Sequence, residues 1–140
     1  MLKILVRTPF GGFESFWATP LEGGLYRLEN NPFLSYGVSY HDLVETVPSK
    51  DGMFPVVSRV RAKSGNRTIR AHLKEGFETD KGKKICAVIN ELGSQYEGAN
   101  KKILSINVPP SCDLETLCKA LEEHGADFEY VDPPPAYARG

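Results

Sequence analysis

The chain has 140 residues, of which 41% are apolar and 25% charged, so it is long enough for one globular domain or two small packed halves. Its net charge of −1 gives no global attraction to nucleic acid or acidic membranes. The charge is unevenly distributed: residues 1–70 carry +3 (nine basic, six acidic) and residues 71–140 carry −4 (eight basic, twelve acidic). Because no apolar run approaches the ~20 residues of a membrane helix, and the N-terminus is too charged for a signal peptide, we expect a cytoplasmic protein.

The first half of the sequence predicts short strands joined by tight turns. Alternation of apolar and polar residues predicts strands at positions 3–7, 15–19, 25–30, 41–47 and 54–61. The sequence Asn30-Asn31-Pro32-Phe33 ends the third of these strands in a turn, around which we expect the rest of the chain to be organised. Trp17 and Tyr26 are expected to be core or hairpin residues. Short strands at this spacing predict a small bent antiparallel β-sheet or barrel over residues 1–64.

The second half predicts an α+β unit with the element order β-α-β-β-α-β. The predicted elements are a strand at 67–74, a helix capped by Thr79 or Asp80 and ended by Gly93, strands at 95–99 and 102–108, a helix from Ser111 or Asp113 to Gly125, and a strand at 127–131. This order predicts a ferredoxin-like half over residues 65–132, followed by a Pro-rich tail, residues 133–140, that does not pack. The tight turn at Ser64-Gly65 leaves open whether both halves share one continuous sheet.

Five segments carry a family resemblance. They are Glu14-Ser15-Phe16-Trp17-Ala18, Tyr26-Arg27-Leu28-Glu29-Asn30 with Pro32-Phe33, Gly37-Val38 with Asp42-Leu43-Val44-Glu45, Ser64-Gly65 with Thr68 and Arg70, and Val108-Pro109-Pro110 before Leu114. Their combination resembles a bacterial domain-of-unknown-function family, number four thousand two hundred and sixty-five. The sequence departs from the family pattern at Asn66, where His is expected, and in the Pro-rich end. The resemblance implies a fold and a bacterial cytoplasmic setting, and it brings no established activity.

The sequence carries no recognisable catalytic, cofactor or metal motif. A phosphate loop, His-Glu-x-x-His, Gly-x-Ser-x-Gly and a close Cys/His ligand set are all absent. His41 and Asp42 are the nearest approach to a base with its carboxylate, but neighbours on a strand point to opposite faces, so a turn-forming role for Asp42 is favoured. Cys86, Cys112 and Cys118 are typical of reduced thiols without disulfide or zinc. We therefore expect no cofactor and no metal, and an enzyme with a site assembled from distant residues is the third hypothesis.

Basic residues near the middle of the chain suggest a binding site for nucleic acid or a small anion. The residues that would form it are Arg59, Arg61, Arg67, Arg70 and His72. Two observations favour plainer roles. The strand at 102–108 lacks the aromatic residues of an RNA-recognition sheet, and basic hairpins often only protect sheet edges. The polar face that carries Arg70 and His72 is also suited to packing against the first half of the chain.

Acidic residues dominate the second helix and the last strand. The carboxylates expected to contact a partner are Glu115, Glu122, Glu123, Asp127 and Glu129, and the plainer alternative is a solvated helix face. The leading hypothesis is a non-enzymatic bacterial protein-binding protein, in particular an immunity protein that neutralises a basic toxin domain such as a nuclease. Nucleic-acid or small-anion binding by the basic region is the alternative.

Overall fold

The computed structural model of the protein describes residues 1–138. Within this range the chain forms nine strands, two α-helices and two short 3-10 helices, and the strands make two sheets. The predicted α+β class is therefore confirmed. No helix in the described range is long and apolar enough to cross a membrane.

The first five strands close into a barrel. They are β1 (Leu2–Arg7), β2 (Phe13–Pro20), β3 (Leu25–Leu28), β4 (Leu43–Val47) and β5 (Val56–Ala62), and a 3-10 helix at Glu22–Gly24 precedes β3. Consecutive strands are antiparallel, so the fifth strand runs in the same direction as the first, and β1 and β5 pair in parallel at Leu5 and Val56. Closure leaves the barrel without a free sheet edge.

The remaining strands form a separate four-stranded antiparallel sheet, which answers the question left open at Ser64. Its elements are β6 (Arg67–His72), α1 (Asp80–Glu91), β7 (Gln95–Ala99), β8 (Ile103–Val108), α2 (Leu114–Glu123) and β9 (Asp127–Asp132), and the strand order is β7-β8-β6-β9. A short 3-10 helix at Ala136–Ala138 lies in the predicted tail, whose residues 139–140 are outside the described range.

Local signals fix the ends of both helices. The Thr79 hydroxyl accepts a hydrogen bond from the Gly82 amide at 3.1 Å, and the Asp113 carboxylate accepts one from the Thr116 amide at 3.2 Å. Gly82 must lack a side chain, because a Cβ there would lie 2.4 Å from the backbone of Phe77. Gly93 follows α1 with φ at 90°, a left-handed conformation that favours glycine.

Each half has its own apolar core. In the barrel the core contains Ile4, Phe16, Ala18, Leu28 and Val44. In the second half both helices cover one face of the sheet, and the core contains Ile69, Ile85, Ile89, Leu104, Ile106, Leu117 and Leu121. Trp17 does not lie in the barrel core: it stands on the outer face of β2 with 49% of its surface exposed. The other, polar face of the second sheet is covered by the barrel half.

Candidate functional site

The chain between β3 and β4, residues 29–42, lies across the polar face of the second sheet and is called the β3–β4 loop here. The Asn31 side-chain amide donates to the Ser105 carbonyl at 3.0 Å, and the Ser105 hydroxyl donates to the Pro32 carbonyl at 2.6 Å. Further along, the Gly37 amide donates to the Val131 carbonyl at 2.7 Å. The two halves therefore meet through buried hydrogen bonds, as buried polar groups require.

Glu14 holds this loop to β2. Its carboxylate accepts hydrogen bonds from the consecutive backbone amides of Phe33, Leu34 and Ser35, at 2.7, 3.0 and 2.8 Å respectively. Consecutive backbone amides that point at one site form a concave site suited to an anion. Here the protein's own carboxylate occupies that site, so Glu14 is a structural residue that the resemblance included but motif reasoning did not single out.

Arg70 is buried beneath the β3–β4 loop, with only 7% of its surface exposed. Its guanidinium donates to the carbonyls of Ser35 at 3.2 Å and Pro32 at 3.4 Å, and it lies 4.7 Å from the centre of the Tyr36 ring. The Glu129 carboxylate lies 3.8 Å from Arg70 and accepts a hydrogen bond from the Tyr36 hydroxyl. The packing role suggested for this face is thus observed for Arg70, and Glu129 contacts Arg70 and Tyr36 while its side chain stays 39% exposed.

The other basic residues of the suggested anion site point in different directions. Arg59 and Arg61 are exposed on β5 and pair with the Glu45 carboxylate. Arg67 begins β6 and interacts electrostatically with Asp113 at the start of α2. His72 ends β6 with its side chain exposed. The structure therefore does not bring the five residues of this set together on one surface.

Asp42 is fully buried, and the Lys63 ammonium links its carboxylate to the second half. Its carboxylate accepts from the backbone amides of Ser39 at 2.9 Å and Ser64 at 2.8 Å, and from the Lys63 ammonium at 2.6 Å. The same ammonium donates to Asp132 of β9, also at 2.6 Å. Asp42 therefore shapes the turn before β4, the role favoured from the sequence, and a buried charge of this kind requires such partners.

His41 contacts Glu29 instead of its neighbour Asp42. Its Nε2 atom lies 2.9 Å from a Glu29 oxygen, and its φ of 70° turns the backbone so that the ring can reach that carboxylate. Burial opposes ionisation of Glu29, but hydrogen bonds from Thr19, Arg27 and His41 outweigh it, so the pKa of this carboxyl lies below its ordinary value. A charged Glu29 holds both ends of the β3–β4 loop at the barrel.

An acidic edge runs along α2 and the start of β9. We define it by the four exposed residues Glu115, Glu122, Glu123 and Asp127. β9 is an outer strand of its sheet, and Glu115 also lines a groove of about 600 Å³ that reaches Arg67 and Tyr130. Carboxylates of the acidic edge also affect the neighbouring Cys118 thiol. Burial raises the pKa of this thiol, and the negative charges of Glu122 and Glu115 raise it further.

The site is therefore an accessible, negatively charged sheet edge on an α+β protein whose two halves are joined by polar contacts. The chain matches the family described as "Domain of unknown function (DUF4265)" over residues 14–130, and it belongs to that family. This confirms the resemblance found in the sequence.

Two further similarities concern individual proteins. The chain is 31% identical over 103 residues to "Centrosomal protein of 70 kDa" from Mus musculus; the match covers 71% of this chain and 17% of that protein. The chain thus spans about a sixth of the length of this curated relative. A crystal structure of a hypothetical protein from Neisseria gonorrhoeae superposes with a TM-score of 0.78 at 18% identity, covering 92% of both chains. At that identity the likeness concerns the fold alone.

Proposed function

We propose that the protein is a non-enzymatic, cytoplasmic protein-binding protein, specifically an immunity protein that neutralises a toxin domain with a basic cleft. The observation that carries the proposal is the acidic edge, where four exposed carboxylates flank an outer strand. A surface of one sign steers a partner of the opposite sign and can occlude the cleft of a nuclease.

The strand order supports a ferredoxin-like half over residues 65–132 beside a barrel over residues 1–64. In the unit β6-α1-β7 the two strands are separated by β8, and in the unit β8-α2-β9 they are separated by β6. Such split units define the ferredoxin-like arrangement. The arrangement matters for the proposed contact, because it places the last strand at an outer position.

The carboxylates of the acidic edge are available to a partner. Glu115, Glu122 and Glu123 are exposed on α2, and Asp127 is exposed at the beginning of β9. Tyr130, 41% exposed, adds an aromatic surface beside them, a residue type enriched at protein interfaces. Glu129, the fifth residue of the original set, is excluded from the proposed contact because it is engaged with Arg70 and Tyr36.

The alternative, binding of nucleic acid or a small anion by the basic region 59–74, has less support. Arg70 is buried under carbonyl groups, and Arg59 and Arg61 share the Glu45 carboxylate. Each of these arrangements neutralises or covers charge that a phosphate would need.

The test uses the C-terminal domain of the large secreted protein that this proposal predicts to be encoded by the neighbouring gene. The domain is expressed in bacteria with wild-type protein or with the triple variant Glu115→Lys, Glu122→Lys, Glu123→Lys, and the association rate is measured with purified proteins. A matched control, Glu22→Lys, Glu75→Lys, Glu91→Lys, makes the same charge change at other exposed positions.

We expect the wild-type protein and the control to restore growth, and the triple variant to lose at least tenfold in association rate with an unchanged melting temperature. The rate should also fall as salt increases. Equal protection by the triple variant and the control would refute the acidic edge as the contact surface. Failure of the wild-type protein to bind the domain would refute the immunity function.

A further inference from the structure

The outer face of β1 and β2 carries aromatic rings and basic side chains, and the carboxylate that touches it at Thr19, Glu29, is paired with Arg27 and His41. Alternation places seven side chains of the two strands outward, and all seven lie in the described part of the chain: Lys3, Leu5, Arg7, Phe13, Ser15, Trp17 and Thr19. Phe13 and Trp17 are 51% and 49% exposed, so about half of each aromatic side chain is open to solvent.

Cations lie over the rings of this face. The Lys3 ammonium is 5.7 Å from the centre of the Trp17 ring and 5.5 Å from that of Phe54, and the Arg7 guanidinium is 5.8 Å from the centre of the Phe13 ring. These three distances, with each cation over a ring, are those of cation–π pairs. The register pairs Lys3 with Trp17 and Arg7 with Phe13 directly across the two strands, and Phe54 shares the Lys3 ammonium with Trp17.

We propose that this aromatic–basic face, defined by Lys3, Arg7, Phe13, Trp17 and Phe54, binds single-stranded nucleic acid. Exposed rings provide surfaces on which bases stack whatever their sequence, and neighbouring cations neutralise the phosphates. Charge favours this occupant over a basic protein, because the outward positions of β1 and β2 hold two cations and no carboxylate. Exposed base faces are absent from the outside of a duplex, so single strands are preferred.

The inference does not depend on the proposed toxin partner. The face lies on the barrel, whereas the acidic edge lies on α2 and β9 of the other sheet. It also differs from the basic region 59–74, because its aromatic residues supply the stacking surfaces that were missing from the strand at 102–108.

The chain provides its own reporter, since Trp17 is its single tryptophan. Purified full-length protein is titrated with 15-nucleotide oligo(dT), 15-nucleotide oligo(U) and a 15-base-pair DNA duplex, and tryptophan emission is followed. We expect at least one of the two single strands to quench Trp17 emission. Comparing oligo(dT) with oligo(U) then shows whether the face prefers DNA or RNA. With two phosphates neutralised, the logarithm of affinity should fall with the logarithm of salt concentration with a slope of about −1.4.

Three variants assign the binding to this face. Phe13→Ala should weaken single-strand binding about 5- to 150-fold, the range for losing one stacked base. Lys3→Glu with Arg7→Glu should abolish it, while the matched control Arg59→Glu with Arg61→Glu stays within about twofold of wild type. Thermal melts establish that each variant is folded, and since Lys3, Arg7 and Phe13 all lie on the outer surface of the barrel, folding should persist.

Four outcomes of the oligonucleotide titrations would overturn the proposal. They are no quenching by either single strand, equal binding of the duplex, undiminished binding by the Lys3→Glu, Arg7→Glu variant, and loss of binding in the control. Concentration-dependent self-association with a change in Trp17 emission, measured without oligonucleotide by analytical ultracentrifugation and fluorescence, would assign the face to a second copy of the chain and would equally overturn it.

Discussion

Replacing Asp42 by alanine tests whether its buried carboxylate holds the turn before β4 and the Lys63 ammonium that reaches Asp132 of the second half. The substitution leaves the buried Ser39 amide without its acceptor, which costs about 1–3 kcal/mol. It also removes one partner of a buried ion pair, a change that costs about 3–5 kcal/mol when the remaining charge stays buried. The Lys63 side chain is 45% exposed and keeps its contact with Asp132, so its ammonium regains water. We therefore expect a total loss of about 3 kcal/mol in the free energy of unfolding.

The measurement is urea denaturation followed by circular dichroism, in which a change in stability moves the midpoint and leaves the slope unchanged. Asp42→Asn keeps the shape and one acceptor oxygen and should lose about half as much as the alanine variant. Glu45→Ala is the matched control on the adjoining strand β4, because it removes only the exposed ion pairs with Arg59 and Arg61 and should cost less than about 1 kcal/mol.

Hydrogen exchange gives a residue-level check. The amides of Ser39 and Ser64 donate to the Asp42 carboxylate, so both should exchange faster in the alanine variant. If Asp42→Ala costs no more than Glu45→Ala, and the Ser39 amide remains protected, the reasoning that assigns a stabilising role to this buried carboxylate is wrong.

Three further predictions concern the second half. Leu117→Ala should cost about 2–5 kcal/mol in a urea melt because the side chain is fully buried; a loss well under 1 kcal/mol would contradict the packing of α2. Thiol titration of denatured, non-reduced protein should find all three cysteines free, with no zinc by metal analysis. Burial raises the pKa of Glu97, although the hydrogen bond from the Asn31 amide opposes this shift. The folded state therefore favours the protonated carboxyl, and the stability that this form contributes is lost as pH rises through the folded-state pKa. Glu97→Gln should therefore melt higher than wild type at pH 7–8, and the difference should vanish below about pH 4.

Helix ends were predictable because their determinants are local. The sequence offered Thr79 or Asp80 as the cap of the first helix and Gly93 as its end, and the structure has Thr79 as the cap with Gly93 two residues beyond the helix. Each signal involves groups within a few positions of one another, such as Thr79 and the Gly82 amide. The apolar stripes of both helices likewise follow from periodicity alone.

The β3–β4 loop was not predictable beyond its turn, because its partners are distant in sequence. Asn31 bonds to Ser105 and Ser39 bonds to Asp132, contacts that only the arrangement of the two halves creates. The sequence left open whether Trp17 is a core or a hairpin residue, for a different reason. Phe16 and Trp17 are adjacent on a strand, so one must point outward, and alternation alone does not decide which. The smaller ring fills the barrel, leaving Trp17 on the surface.

The polar contact between the halves has a consequence for synthesis on the ribosome. Residues 2–62 emerge first and contain every strand of the barrel, whereas Ser105, Val131 and Asp132 emerge later. Until then the β3–β4 loop presents amides, carbonyls and hydroxyls that water can satisfy. If the contact were apolar instead, the nascent chain would expose a hydrophobic surface there, and such surfaces lead to aggregation. We therefore expect the translating half-protein to remain soluble while it waits for its second sheet.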